Sequence, residues 1–310
     1  MDEFDIIARF FAPLAGQGAF GLKDDAAILP QRPGHDLVVK TDAISEGVDF
    51  FSSAEPGDIA RKALRVNLSD LAAKGAEPAF YLLNLTLPHN VTESWLSGFA
   101  DGLRRDQEEF GISLLGGDTG AGALSIAVTA FGFVPGGKMV KRSSARIGDA
   151  VYVTGTIGDS GGGLAILKGE PHALPDTERG YLTDRYRVPQ PPVTFAVPLR
   201  NMAHASVDIS DGLIADLGHV ASASGVRIVV EGERVPLSCP LKTLWGDDAL
   251  PRAVGAGDDY QIAFTAPAGL SGPFTRIGEV VAGNGVRFTL AGRDVALPKM
   301  GYRHFENRRP

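Results

Sequence analysis

The stretch ISLLGGDTGAGALSIAVTAFGFVPGG, residues 112–137, says most about how this chain is organised. Residues 112–115 and 124–133 are mainly apolar, which predicts two strands on either side of a glycine-rich turn at 116–120. The Pro-Gly-Gly break at 135–137 predicts a domain boundary. We therefore expect an N-terminal domain over residues 1–137 and a C-terminal domain over residues 138–310.

Outward from this stretch, helical and strand patterns alternate in both directions. Upstream, the patterns predict a helix at 2–12, a strand at 37–42, a helix at 56–75, a strand at 79–87 and a helix from Thr92 to Gly111. Downstream, they predict a strand at 150–154, a helix starting within 158–163, two further helices, a strand at 206–208, a helix at 211–224, and then mostly strands. This order predicts an α/β (α+β) fold with two domains.

Composition excludes several classes of protein. The 310 residues carry 30 basic and 37 acidic side chains, a net charge of −7, which argues against a nucleic-acid-binding surface. The single cysteine, Cys239, excludes a disulfide framework and a multi-cysteine metal site. The acidic start differs from a signal peptide and no apolar run suits a membrane span, so we expect a cytoplasmic protein without a membrane partner.

Aspartates recur where predicted elements end, in apolar or glycine-rich surroundings. Burying a bare carboxylate costs several kcal/mol, so such side chains need cationic partners. The neighbouring lysines and arginines are too few to neutralise all of them, whereas Mg²⁺ prefers oxygen ligands. A helix cap or turn remains the alternative for any single aspartate. These residues are Asp24, Asp25, Asp42, Asp70, Asp118, Asp208 and Asp211.

Other signals of chemistry are weaker. Gly161–Gly163 at a predicted helix start suits either a phosphate cradle of backbone N–H groups or tight helix packing, and the sequence leaves both open. No pair of histidines has the spacing of metal ligands, and no Gly-x-Ser-x-Gly motif occurs.

Eight short motifs occur in an order that we associate with one enzyme family. They are 23-KDDAA-27, 41-TD-42, 46-EGVDF-50, 66-VNLSDLAA-73, 116-GGDT-119, 154-TGTIGDS-160, 208-DISDGL-213 and 257-GDDY-260. On these motifs the chain resembles the thiamine-monophosphate kinases, members of the superfamily that includes aminoimidazole ribonucleotide synthetase. The resemblance extends from residue 4 to about 305.

The resemblance implies a fold, an activity and partners. The fold would be a two-domain one of the aminoimidazole ribonucleotide synthetase type, whose N-terminal sheet domain binds ATP and Mg²⁺ and forms the dimer interface of a homodimer. The activity would be phosphorylation of thiamine phosphate to thiamine diphosphate, with ATP as co-substrate and several Mg²⁺ ions as cofactors.

The resemblance also implies roles for individual residues. The implied Mg²⁺ ligands are Asp25, Thr41, Asp42, Asp70, Asp118, Asp208 and Asp211. The implied nucleotide contacts are Gly117, Asp118, Arg142 and Ser210, and the implied substrate contacts are Asp49, Asp258 and Tyr302.

The chain departs from the family pattern at four places. Lys23 stands where the family usually has Gly, and Asp49 stands where it usually has His. Lys40 replaces a Ser or Thr, so a hydroxyl ligand is lost or replaced by an ammonium contact. Residues 256–259 read Ala-Gly-Asp-Asp instead of Gly-Gly-Glu-Asp.

The implied chemistry needs no catalytic base. A phosphate monoester is already anionic at neutral pH, so its oxygen can attack the γ-phosphorus of ATP directly. We therefore expect in-line transfer without a phospho-enzyme, with charge neutralised by metal ions and by Arg142. The alternatives are a hydrogenase-maturation or selenophosphate-synthetase type of enzyme, or a non-catalytic nucleotide-binding subunit.

Overall fold

The structure is a computed structural model, and it describes residues 2–302. The chain divides into two compact units, one ending at Met139 and one beginning at Val140. Mixed helices and strands in both units confirm the predicted fold class.

The first unit is a four-stranded sheet with helices. Its strands stand in the order β1-β4-β2-β3, with β2 and β3 parallel and the other pairs antiparallel. The strands are β1 His35–Ser45, β2 Glu77–Leu87, β3 Ser113–Ala121 and β4 Ser125–Pro135; the helices are α1 Glu3–Ile6, α2 Pro56–Ala73 and α3 Glu93–Phe110. Leu64, Leu68 and Leu71 of α2 are fully buried, so this helix forms much of the unit's core.

The predicted ends of the two long helices are confirmed. Pro56 occupies the first turn of α2, where its missing N–H costs nothing. The Thr92 side chain accepts a hydrogen bond from the Trp95 N–H at the start of α3, and Gly111 ends that helix with φ 65°. The N-terminal helix is shorter than predicted, because regular α-helix ends at Ile6 and wider and tighter turns follow to Leu14.

The predicted glycine-rich turn at 116–120 is wrong. These residues continue strand β3 to Ala121, paired in parallel with β2, with Gly117 opposite Leu83 and Gly120 opposite Thr86. Pairing along the sheet thus overrides the low strand preference of glycine.

The second unit contains a seven-stranded mixed sheet in the order β11-β10-β7-β9-β5-β8-β6. Its strands are β5 Ala150–Thr154, β6 Ala205–Asp208, β7 Arg227–Glu231, β8 Ile262–Ala266, β9 Phe274–Val281, β10 Gly285–Leu290 and β11 Arg293–Asp294. Its helices are α4 Asp159–Leu167, α5 Asp176–Arg187, α6 Ala196–Met202, α7 Leu213–Ser224, α8 Cys239–Trp245 and α9 Ala249–Ala253.

The core of this unit is aliphatic. Val151 and Val153 of β5, Val207 of β6, and Ile214 and Leu217 of α7 belong to one buried cluster. Alternation of buried side chains along the interior strands β5 and β8 is absent because both faces are covered. Among the described residues, no helix is long and apolar enough to cross a lipid bilayer.

Candidate active site

A first group of charged side chains lies between strand β1 and helix α2. Val38 and Ile44 of β1 are buried on the side that packs against α2, so alternation places Lys40 and Asp42 on that side too. Asp70 comes from the last turn of α2. The Lys40 Nζ lies 2.9 Å from Asp70 Oδ2 and 3.2 Å from Asp42 Oδ2, so one ammonium joins the two carboxylates.

The group carries more negative than positive charge. Burial raises the pKa of the Asp42 carboxyl above its usual value; Lys40 opposes the rise, and the charges of Asp70 and Asp49 add to it. Burial alone would lower the pKa of the Lys40 ammonium, but the two carboxylates outweigh burial and raise it. An excess of hard oxygen ligands with unneutralised charge is a setting that suits Mg²⁺.

Thr41 faces the other side of the sheet. Its hydroxyl donates to the carbonyl oxygen of Val128 at 3.1 Å and accepts from the Thr129 hydroxyl at 3.1 Å. Successive strand residues point to opposite faces. The structure therefore does not bring the Thr41 hydroxyl together with the Asp42 carboxylate.

A second group surrounds a cavity of about 570 Å³ in the first unit. Asp25, Gly117 and Asp118 line it, together with an apolar wall that includes Leu29 and Phe131. Gly117 has φ 155°, and a Cβ there would lie 1.8 Å from the Leu83 carbonyl oxygen, so only glycine fits. The apolar side chains suit the uncharged base of a nucleotide, whereas its phosphates would need bound cations to approach the Asp25 and Asp118 carboxylates.

The two groups lie at opposite edges of the sheet. In the register of the sheet, Asp42 pairs with Val128, Val128 pairs with Leu83, and Leu83 pairs with Gly117. Three strand spacings therefore separate Asp42 from Gly117, about 14 Å between their Cα atoms.

A third group forms in the second unit, where two loops and the last described residue meet. The Asp258 N–H donates to the Ser210 carbonyl oxygen at 2.8 Å, and the Tyr302 N–H donates to the Asp211 carbonyl oxygen at 2.8 Å. These four residues, predicted as nucleotide, metal and substrate contacts, are thus brought together. Asp208, which ends β6, is buried just before them.

The loop that carries Asp258 is strained. Asp258 has φ 67° and Tyr260 has φ 50°, values that non-glycine residues rarely adopt. Such strain costs about 1–3 kcal/mol per residue and tends to gather at functional sites. The strain agrees with a functional role for this loop.

Asp216 belongs to this third group, although it lies outside the eight motifs of the sequence. One carboxylate oxygen, Oδ2, accepts the N–H groups of Ser210, Asp211 and Gly212 at 3.0–3.1 Å. Burial raises the pKa of Asp216 to about 7, and the charge of Asp211 adds to the rise. Ligand atoms of Asp211, Asp216 and the exposed His219 lie within 4.8 Å of one another. The signal in the sequence was an acidic residue on the apolar side of α7.

Two further buried aspartates anchor the start of helix α4. Asp159 accepts hydrogen bonds from Thr156, Tyr181 and Ser238 at 2.5–2.7 Å. Asp259 accepts from the Gly158 N–H at 2.6 Å and the Ser160 N–H at 3.4 Å, and burial raises its pKa well above the usual value. Asp259 therefore ties the strained loop to α4.

The glycines of α4 serve packing. A Cβ at Gly163 would lie 2.1 Å from the Leu182 carbonyl oxygen, and one at Gly161 would lie 2.5 Å from Ala256. Of the two interpretations left open by the sequence, the structure favours tight helix packing over a phosphate cradle.

Two further predicted contacts, Arg142 and Asp49, make backbone hydrogen bonds that fix their own segments. The Arg142 carbonyl oxygen accepts from the Ser224 hydroxyl at the end of α7, whereas Ser210 precedes the start of this 12-residue helix, which is about 18 Å long. Asp49 closes the turn after β1, since its carboxylate accepts the Ser45 N–H at 2.8 Å and its carbonyl accepts the Lys62 ammonium at 2.8 Å.

Comparison with known proteins gives matches over nearly the whole chain. Residues 23–134 match the AIR synthase related protein, N-terminal domain, and residues 146–291 match the corresponding C-terminal domain. A thiamine-monophosphate kinase of Salmonella typhimurium is 40% identical over 98% of both chains. The crystal structure of thiamine-monophosphate kinase from Stenotrophomonas maltophilia is 39% identical, covers 95% of this chain and 98% of that one, and gives a TM-score of 0.85. AaThiL complexed with AMPPCP and TMP is 35% identical, covers 93% and 97%, and gives a TM-score of 0.82.

Proposed function

The chain belongs to the thiamine-monophosphate kinase family, and from that membership we propose how its residues carry out the reaction. It is a kinase that phosphorylates thiamine phosphate at the expense of ATP. The observation that carries this conclusion is 40% identity to a thiamine-monophosphate kinase over 98% of both chains. The hydrogenase-maturation, selenophosphate-synthetase and non-catalytic alternatives are therefore not favoured.

We propose that the phosphoryl group moves directly from ATP to thiamine phosphate. The acceptor oxygen belongs to a phosphate that is ionised at neutral pH, so no side chain has to remove a proton from it. The remaining difficulty is repulsion between two polyanions, which positive charge and fixed positions must overcome.

Mg²⁺ is the cation that we propose for this neutralisation. The fit rests on the excess negative charge around Asp42 and Asp70 and on the carboxylate oxygens that these two residues offer as ligands. When bound, the ions offset phosphate charge and polarise the γ-phosphoryl group. The carboxylates proposed to hold them are Asp25, Asp42, Asp70 and Asp118 in the first unit and Asp208 and Asp211 in the second.

The nucleotide and the acceptor are held by other groups. Gly117 lines the cavity that we propose for the nucleotide, and Ser210 stands beside the strained loop of the second unit. Asp258 is proposed to contact the acceptor, and Tyr302, 43% exposed, offers a ring face for stacking on it. Arg142, Thr41 and Asp49 keep their predicted roles without support from the geometry of these groups.

A homodimer through the first unit's sheet is also proposed. Leu37 and Val39 of β1 lie on the side away from α2 and are 39% and 54% exposed. Their neighbours across the sheet are the half-buried Phe131 and the buried Phe133, so the side is apolar at these positions on both strands. An apolar sheet side of this kind is suited to a second copy of the chain. Residence in the cytoplasm stays a prediction from the sequence.

The direct test is detection of the product. Thiamine diphosphate should appear by mass spectrometry when the protein is given thiamine phosphate, ATP and Mg²⁺, and it should disappear in EDTA. The Asp70→Asn variant should lose most of this activity while keeping its circular dichroism spectrum, because it lacks a proposed metal ligand. Asp101→Asn, an exposed change on α3, is the control and should keep full activity. ATP consumption without thiamine diphosphate would contradict the proposal.

A further inference from the structure

Lys40 holds a cation between two of the carboxylates proposed to bind metal. Its ammonium contacts the Oδ2 atoms of Asp42 and Asp70, at 3.2 and 2.9 Å, and each of these carboxylates keeps a second oxygen for other ligands. The Lys40 side chain is only 30% exposed and the Asp70 side chain 14%. The Asp42 side chain is 45% exposed, so it is the Lys40–Asp70 contact that is partly shielded from water. Competition from water and screening by salt are weaker at that contact than at an open surface.

A metal ion and this ammonium cannot both bridge the two carboxylates through these oxygens. Mg²⁺ binds carboxylate oxygen at about 2.0–2.1 Å and demands near-octahedral geometry, so a bridging ion would require the space next to both Oδ2 atoms. In the structure the Lys40 ammonium takes that space. Lys40 replaces the Ser or Thr that the family resemblance implies, so the difference belongs to this chain's own sequence.

We propose that the Lys40 ammonium takes the place of one divalent cation between Asp42 and Asp70, so that this enzyme binds one Mg²⁺ fewer than its carboxylates would otherwise hold. The inference rests on the proposed function, because it assumes that the remaining carboxylate oxygens bind metal. In this role the Lys40 side chain supplies a fixed positive charge that does not depend on the concentration of free Mg²⁺.

The first test uses the unmodified protein. Crystals are soaked in Mn²⁺, and anomalous scattering locates the bound ions. We expect Mn²⁺ beside the proposed metal-binding carboxylates but none bridging Asp42 Oδ2 and Asp70 Oδ2, where the Lys40 ammonium should appear. A bridging Mn²⁺ ion, with Lys40 turned away, would overturn the proposal.

The second test counts ions in solution. Mn²⁺ bound per chain is measured by electron paramagnetic resonance for the unmodified protein and for Lys40→Ser, and we expect one more ion in the variant. Lys138→Ala removes an equal charge from an exposed turn of the same unit and should bind the unmodified number. Adding Asp70→Asn to Lys40→Ser should abolish the extra ion.

The outcomes separate the two proposals. Equal counts in Lys40→Ser and the unmodified protein would contradict the role of Lys40, even if thiamine diphosphate is formed. Failure of the unmodified protein to form thiamine diphosphate would instead contradict the proposed function, whatever the ion count.

Discussion

Gly117 shows how one residue shapes the candidate site. Its backbone conformation, φ 155°, is open to glycine and strained for other residues, and the Leu83 carbonyl oxygen fills the space that a side chain needs. The motif Gly-Gly-Asp-Thr made this residue a candidate in the sequence. Its close approach to β2 could be seen only in the paired sheet.

Gly117→Ala is expected to destabilise the protein and to weaken nucleotide binding. The backbone strain at φ 155° alone should cost about 1–3 kcal/mol, and the collision of the new Cβ with backbone atoms of β2 adds to it. Urea unfolding and calorimetric titration with an ATP analogue measure the two effects. Gly120→Ala in the same strand is the control, since no atom lies within 4 Å of its added Cβ. Equal unfolding midpoints for the two variants would contradict the prediction.

Lys40 and Asp216 mark the limit of prediction at the residue scale. Lys40 was recognised as a departure, but its double ion pair depends on how α2 packs against β1. Asp216 can be recognised in the sequence only as an acidic residue on the apolar side of α7, because its three hydrogen bonds arise from a loop that folds back over the start of that helix. Contacts between elements carry no local signal in the sequence.

At the scale of elements, the prediction was strongest for long helices with clear ends. Thr92 caps the start of α3, Gly111 caps its end, and Gly225 caps the end of α7, as the cap preferences of threonine and glycine predict. The prediction failed at residues 116–120, where glycine composition indicated a turn and pairing with β2 made a strand. Strand content is set partly by neighbours that are distant in sequence.

The junction between helix α4 and the strained loop should make stability depend on pH through Asp259. Burial raises the folded-state pKa of this carboxyl well above its usual 3.8. Above pH 3.8 the native state therefore holds its proton more tightly than the unfolded state, so stability falls as pH rises until the folded-state pKa is passed.

Asp259→Asn should remove this contribution. Melting temperatures measured from pH 4 upwards should fall less steeply with rising pH in the variant than in the unmodified protein. Asp247→Asn, a change at an exposed position, should run parallel to the unmodified protein. Parallel curves for Asp259→Asn would show that Asp259 is not the buried group that we describe.

At the scale of the whole molecule, the exposed apolar side of the first unit's sheet predicts a dimer. Sedimentation at micromolar concentration should give a mass near twice 32.6 kDa. Val39→Glu should shift the protein towards monomer, because it places a charge on the apolar side, whereas Val48→Glu in an exposed turn should not. A monomer in the unmodified protein would contradict this assembly.

The path of the phosphoryl group tests the central claim most directly. A side chain that carried the phosphoryl group between the two substrates would be an aspartate or a histidine. Of the histidines, His204 is paired with Asp149 at 2.9 Å, and His219 lies beside Asp211 and Asp216. The measurement is rapid quench of the enzyme after mixing with Mg²⁺ and ATP labelled on its γ-phosphate, without thiamine phosphate. Direct transfer predicts an unlabelled protein and, once thiamine phosphate is added, label only in thiamine diphosphate. A stoichiometric label on the protein that a chase of thiamine phosphate removes would contradict direct transfer.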